Sequence, residues 1–395
     1  MRSLQKKFAK YNEPQIAIKN GLYSYYHRFE SGQDTEVLLN GKKVLMFGSN
    51  SYLGLTNHPE IIKAAKEALD KYGTGTSGSR LMNGNLDLHA KLERELADFV
   101  NKPSATVFST GFQVNMGTIP SLVGRNDLIV IDEKSHASII EGCRIAYAKT
   151  LKFKHNDIAS LEKTLQKADK TKTTLIITDG IFSMEGDIAH LDKICELADQ
   201  YSASVMVDDA HALGVIGENG SGTASYFKTT KKTDLIMGTF SKSFASLGGF
   251  VAGDFEIINF IKHNARSLLF SAGIPPASAA TVLKALEIIK KEPERIYQLW
   301  ENTNYASECL LQENFLIGES TTPIIPIFIG ENVKTYQYGT KLLEQGIYVN
   351  PVVSPGVEKG KAILRFSLMA THTKEQIDIA IDTLVKCRKT IEIYS

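Results

Sequence analysis

The chain has 395 residues, 43% hydrophobic and 23% charged, the composition of a folded globular protein rather than a disordered or fibrous one. Forty-five basic residues against forty-four acidic ones leave a formal charge of +1, so there is no electrostatic footprint for nucleic acid or for a polybasic membrane surface. Cys143, Cys195, Cys309 and Cys387 are far apart and form no CxxC pair, which argues against a zinc site or a disulfide framework and predicts reduced thiols.

No stretch approaches the roughly 18 apolar residues of a membrane helix, and the N-terminal MRSLQKKFAKYNEPQ has no apolar signal-peptide core. A cytoplasmic protein is expected, with weak peripheral membrane contact left open. Single cores stop growing near about 250 to 300 residues, so a large and a smaller domain are expected. Residues 1–45 read as an N-terminal docking arm: a charged helix, an aromatic cluster of Tyr23, Tyr25 and Tyr26, and a hairpin turning at Leu39-Asn40-Gly41. Residues 46–276 read as a large α/β domain in which short apolar runs alternate with helical patterns, the signature of a mostly parallel sheet. Its predicted strands are 105–108, 128–131, 150–153, 174–178, 204–207, 235–237 and 249–252. Pro275-Pro276 marks a break, and a long helix is predicted over 278–291. Residues 277–395 read as a smaller α+β domain with strands at 324–329, 348–350 and 362–367 and an amphipathic helix over 374–389.

Several predicted strands stop at polar residues, where parallel sheets place their ligands. Ser109, Thr110, Gly111 and Phe112 follow the first strand of the large domain and open a helix, a setting whose backbone N–H groups bind phosphate. His136, in Asp132-Glu-Lys-Ser-His, is the aromatic group best placed to lie over a cofactor ring. Ser183, in Asp179-Gly-Ile-Phe-Ser, supplies a hydroxyl able to bond a phenolic oxygen of that ring. Asp208 ends the buried run Ser204-Val-Met-Val, with His211 just beyond, and a carboxylate there suits the protonated ring nitrogen of pyridoxal 5'-phosphate (PLP). Asp209 competes for that role; Asp208 is preferred because it ends the apolar run.

Lys242 stands in Asp234-Leu-Ile-Met-Gly-Thr-Phe-Ser-Lys-Ser243, where a strand runs into a hydroxyl-rich turn. An amine forms a Schiff base only when partly deprotonated, which a desolvated site favours, and Thr239 and Ser241 can hold a phosphate beside it. One lysine among 45 basic residues carries no assignment alone; its company does. Arg365, on the strand Ala362–Ser367, offers a planar guanidinium that pairs bidentately with an α-carboxylate.

Taken in order, these motifs resemble the α-oxoamine synthase family of PLP-dependent enzymes over nearly the whole chain. The resemblance rests on Phe-Gly-Ser-Asn-Ser-Tyr-Leu-Gly-Leu with Asn50, on Gly73 to Arg80, on the Asp-x-Ala-His motif ending at His211, and on Lys242. It implies the fold-type I, aspartate aminotransferase-like architecture, an obligate homodimer with active sites at the subunit interface, and condensation of an amino acid with an acyl thioester. By the family pattern, counting back three from His211 also selects Asp208. It further implies catalytic roles for Lys242, His136, Asp208 and His211, substrate contacts from Asn50 and Tyr52, and a phosphate contact from Ser271 across the dimer. Gly-Thr-Phe-Ser-Lys-Ser around Lys242, together with Asn350-Pro-Val-Val-Ser-Pro355 and Arg365 to Thr373, is similar to members that take L-serine and palmitoyl-CoA. The rival within the family is a synthase of glycine or alanine with a shorter acyl-CoA.

Overall fold

A computed structural model describes residues 2–393. The arm carries α1 (Ser3–Phe8) and α2 (Glu13–Lys19), then the hairpin β1 (Glu36–Leu39) and β2 (Lys42–Met46). Asn40 and Gly41 turn it with φ of 51° and 69°, left-handed values that these two residues tolerate and that match strand twist. Pro59 and a His58 side chain that accepts from the Glu60 N–H start α3 (Pro59–Tyr72), which is followed by α4 (Asp87–Phe99).

Strands and helices then alternate: β3 (Ser104–Phe108), α5 (Gly111–Leu122), β4 (Leu128–Asp132), α6 (Ala137–Ala146), β5 (Lys149–Phe153), α7 (Ile158–Leu165), β6 (Thr174–Asp179), α8 (Leu191–Tyr201), β7 (Ser204–Asp208), α9 (Thr223–Tyr226), β8 (Leu235–Thr239) and β9 (Gly249–Gly253). The chain continues through α10 (Phe255–Asn264), α11 (Arg266–Leu269), α12 (Pro276–Lys291) and α13 (Glu294–Gln312). It closes with β10 (Ile324–Gly330), α14 (Asn332–Glu344), β11 (Ile347–Tyr348), β12 (Asn350–Val352), β13 (Ala362–Ser367) and α15 (Lys374–Ile393).

The central sheet has the order β3-β9-β8-β7-β6-β4-β5. Only β9 runs against its neighbours, so the sheet is mostly parallel, as its apolar runs predict. Side chains alternate between two buried layers. Ile129, Ile131, Leu175, Ile177, Met206 and Met237 pack on one face against α5, α6 and α10. Val130, Ile176, Val205, Val207 and Ile236 pack on the other, against α4, α7, α8 and α12. This burial on both faces makes the sheet a rigid platform and sets its loops at one edge.

Helix α12, opened by the Pro275-Pro276 break, lies against α3 and α4. The C-terminal unit is built on an antiparallel sheet β10-β13-β12 backed by α14 and α15. One predicted strand is corrected: 348–350 is not continuous. Tyr348 pairs in parallel with Met46 of β2, whereas Asn350 pairs antiparallel with Arg365 of β13, so the chain changes sheets at Val349. Through β11 the arm hairpin is stitched to the C-terminal unit.

Candidate active site

The parallel strands deliver their polar ends to one edge. Past β4 comes His136, past β6 Ser183, at the end of β7 Asp208 and then His211, and past β8 Lys242. Arg365 approaches from β13. A cavity of about 660 Å³ is lined by Asn50, His136, Ser183, His211, Lys242 and Arg365.

Lys242 is desolvated, which lowers its ammonium to about 8; the positive Arg365 acts in the same direction, and Asp208 and Asp179 oppose it. Asp208 is buried and fixed from two sides, its carboxylate accepting from Asn115 Nδ2 at 2.8 Å and from the Ala210 N–H at 3.0 Å. Asn115 also donates to Ser138 Oγ, which lies 2.7 Å from His136 Nδ1. Asp208 and His136 thus belong to one hydrogen-bonded chain. Asp209, the competitor, points away: its carboxylate accepts from the Thr223 N–H at the start of α9, and burial pushes it up to about 7.

His136 caps α6, and burial lowers its pKa. Its backbone N–H donates to Asp179 Oδ2 at 3.1 Å. Burial and then the charge of Asp208, its register partner on β7, raise Asp179 well above the ordinary carboxylate range, favouring its protonated form. His211 is held well below its ordinary value by burial and then by the positive charge of Lys242, so it is neutral. Its Nδ1 lies 2.7 Å from Tyr52 Oη.

Arg365 is 4% exposed; its Nε donates to the Ser183 carbonyl at 2.6 Å and its Nη1 to Ser367 Oγ at 2.8 Å. Two anchors therefore aim the guanidinium, and Nη2 reaches Tyr52 Oη at 3.4 Å.

The phosphate cradle is preformed. Thr110 caps α5 by accepting from the Gln113 N–H, and the N–H groups of Gly111 and Phe112 face out of the helix end. A Cβ on Gly111 would come within 2.6 Å of Thr239 Oγ1, so the helix end sits directly on Thr239, whose hydroxyl is 3.0 Å from Ser241 Oγ. Ser109 donates to the Ala272 carbonyl, and Ser271 Oγ accepts from Gln113 Nε2 at 3.2 Å in the same chain. This donor set fits PLP: hydroxyls and helix N–H groups for a phosphate, a fixed carboxylate for a ring nitrogen, an imidazole beside it, and a desolvated lysine.

Sequence reasoning missed Asn115, Ser138 and Asp179 as members of this network. Asn115 did leave a signal, a polar residue beside Val114 on the apolar face of α5, buried completely. His155 was also missed; it bridges Asp132 and Asp187 beside the Ser183 loop.

A family model for aminotransferases of class I and II matches residues 42–384, and the chain belongs to that family. More particularly, it is 54% identical to a serine palmitoyltransferase of Sphingobacterium spiritivorum over 99% of this chain and 98% of the relative. It is 50% identical to a serine palmitoyltransferase of Bacteroides ovatus over the full length of both. Among solved structures, a serine palmitoyltransferase from S. paucimobilis with bound PLP-myriocin aldimine superposes with a TM-score of 0.96 at 32% identity, covering 99% of this chain and 100% of that one. The resemblance to α-oxoamine synthases read from the motifs is therefore correct, as is the fold it implies. Among the described residues, no helix is long and apolar enough to cross a membrane, and no cluster of His, Cys, Asp and Glu is placed to hold a metal ion.

Proposed function

We propose that this chain is a PLP-dependent serine palmitoyltransferase, which condenses L-serine with palmitoyl-CoA to give 3-ketodihydrosphingosine, CoA and carbon dioxide. What carries the reading is that one cavity gathers Lys242, His136, His211 and Arg365 on a chain similar, over its full length, to serine palmitoyltransferases. PLP, when bound, supplies an electron sink that stabilises negative charge at Cα of serine.

The chain's own residues do the rest. Asp208, pinned by Asn115, faces the ring nitrogen, and His136 lies against the ring. Ser109, Thr110, Gly111, Phe112, Thr239 and Ser241 hold the phosphate, with Ser271 contributing across a homodimer. Ser183 and His211 bond the phenolic oxygen. Arg365 grips the serine carboxylate, and Asn50 and Tyr52 border the thioester. Holding that carboxylate decides which bond at Cα stands perpendicular to the ring and is broken. Lys242 Nζ, an amine in a substantial fraction at neutral pH because burial lowers it to about 8, takes the Cα proton. Cα then bonds to the palmitoyl carbonyl carbon, CoA leaves as its thiolate, the carboxylate departs as carbon dioxide, and Lys242 returns a proton to Cα. The protein is cytoplasmic in this reading.

The test is purified protein with labelled serine and a series of acyl-CoAs, the product identified by mass. A long-chain ketone from serine is expected. A cofactor absorbance that responds to glycine or alanine and not to serine overturns the choice of amino acid and favours a sister synthase.

A further inference from the structure

The active-site cavity has a neighbour. A second cavity, of about 650 Å³, lies within the N-terminal arm against Tyr11, Pro14, Ala17, Leu22 and Tyr23, and Glu13 is the one charged residue in its lining. The two cavities share three side chains, Tyr25, Tyr26 and Tyr336.

Those tyrosines form a partition between them. Tyr25 Oη and Tyr336 Oη are hydrogen bonded at 2.7 Å across 311 residues of sequence. Their rings meet edge to face at 6.0 Å, and Tyr23 extends the row at 5.7 Å from Tyr25. Tyr26 is 91% exposed and held at φ 55°, a left-handed conformation that bulky residues adopt at a cost. A strained, exposed aromatic at the mouth of an active site has the mark of a functional position rather than a packing one.

We propose that the arm cavity is the acyl subsite: the alkyl tail of the thioester passes the Tyr25–Tyr336 pair and lies against Ala17 and Leu22 while its carbonyl carbon stays beside Lys242. This rests on the functional reading above. The inner cavity must hold the cofactor, serine and the reacting thioester, and a palmitoyl tail does not fit in what remains. Its tail needs an apolar continuation, and the arm cavity adjoins the mouth. Phenols suit the passage, since their faces bury alkyl groups and the paired hydroxyls satisfy each other when water is stripped away.

The test is steady-state kinetics of the PLP-loaded enzyme with serine and octanoyl-, dodecanoyl- or palmitoyl-CoA, comparing wild type with Ala17→Trp and Leu22→Trp. Ala17 is half-exposed on the short α2, and Leu22→Trp stands as the second variant if Ala17→Trp fails to fold, as judged by thermal melting. Each methylene kept out of an apolar site weakens binding several-fold, so the palmitoyl-to-octanoyl ratio of kcat/KM is expected to fall at least about tenfold. A folded variant that keeps the wild-type ratio overturns the acyl subsite. Wild-type enzyme that makes no ketone from serine and palmitoyl-CoA overturns the functional reading itself, and that arm of the experiment is read before any variant.

Discussion

Tyr52 Oη and His211 Nδ1 lie 2.7 Å apart, joining the loop after the arm hairpin to the loop after β7. Burial raises the Tyr52 phenol above its ordinary value, and Arg365 Nη2 donates to its oxygen. Tyr52 therefore keeps its proton and donates it to the neutral His211. That leaves the Nε2–H of His211 as a donor aimed into the cavity, with the tautomer set by Tyr52. Tyr52→Phe keeps the ring and removes this donor, stranding a buried nitrogen at about 1–3 kcal/mol. We expect kcat/KM to drop roughly ten- to a hundredfold, with a shifted absorbance of the bound cofactor. A Tyr52→Phe enzyme with wild-type rate and spectrum would show that the relay is idle.

Lys242 makes a prediction about pH. Its ammonium, lowered by burial to about 8, must lose a proton before it can capture PLP. The rate at which apoenzyme takes up PLP, followed by absorbance, should rise about tenfold per pH unit below 8 and flatten above it. A profile still climbing at pH 10 would mean that the lysine is solvated as an ordinary surface amine. Lys242→Ala should abolish turnover and leave the melting temperature close to that of wild-type apoenzyme.

Gly111 tests the cradle. Its missing Cβ is the space that lets α5 rest on Thr239, with 2.6 Å available to a methyl group. Thr239 cannot retreat, because its hydroxyl also donates to the Gly248 carbonyl. Gly111→Ala should push the helix end from the two hydroxyls and weaken PLP affinity about tenfold or more in an equilibrium titration, while serine condensation at saturating PLP falls much less. Equal loss in both would place the damage elsewhere.

Much of this was legible because the sheet is buried on both faces. Each strand is a run of apolar residues, and the residue where the run stops is the one carried to the edge, which is why Asp208, His136 and Lys242 stand out. Partnerships are a different matter. Asn115 meets Asp208 across 93 residues, and Tyr52 meets Arg365 across 313, separations along which no local pattern runs. The split at Val349 escaped notice for a similar reason. Tyr348 and Asn350 read as one short run, and only their partners, Met46 and Arg365, assign them to different sheets. Ser183 was singled out for its hydroxyl, yet the contact found is its carbonyl, which holds Arg365.

That Ser183 loop is clamped by His155, and the clamp should be visible in stability. His155 Nδ1 lies 3.0 Å from Asp132 Oδ1 and its Nε2 3.0 Å from Asp187 Oδ2, while the ring meets Phe182 edge to face at 4.4 Å. Glu133 faces the same segment through the His155 N–H. Burial alone would lower the imidazole, but hydrogen bonds and charge from Asp132 and Asp187 outweigh it and raise it to about 9. Both nitrogens can donate only in the protonated ring. Because the folded value lies above the unfolded one of about 6.5, the clamp contributes fully below pH 6.5 and is lost as pH rises through 9. His155→Gln should therefore melt a few degrees below wild type at pH 6, and the gap should close as pH climbs past 9. Two melting curves that run parallel from pH 6 to pH 10 would mean that the ring holds its loop as a neutral side chain, by packing on Phe182.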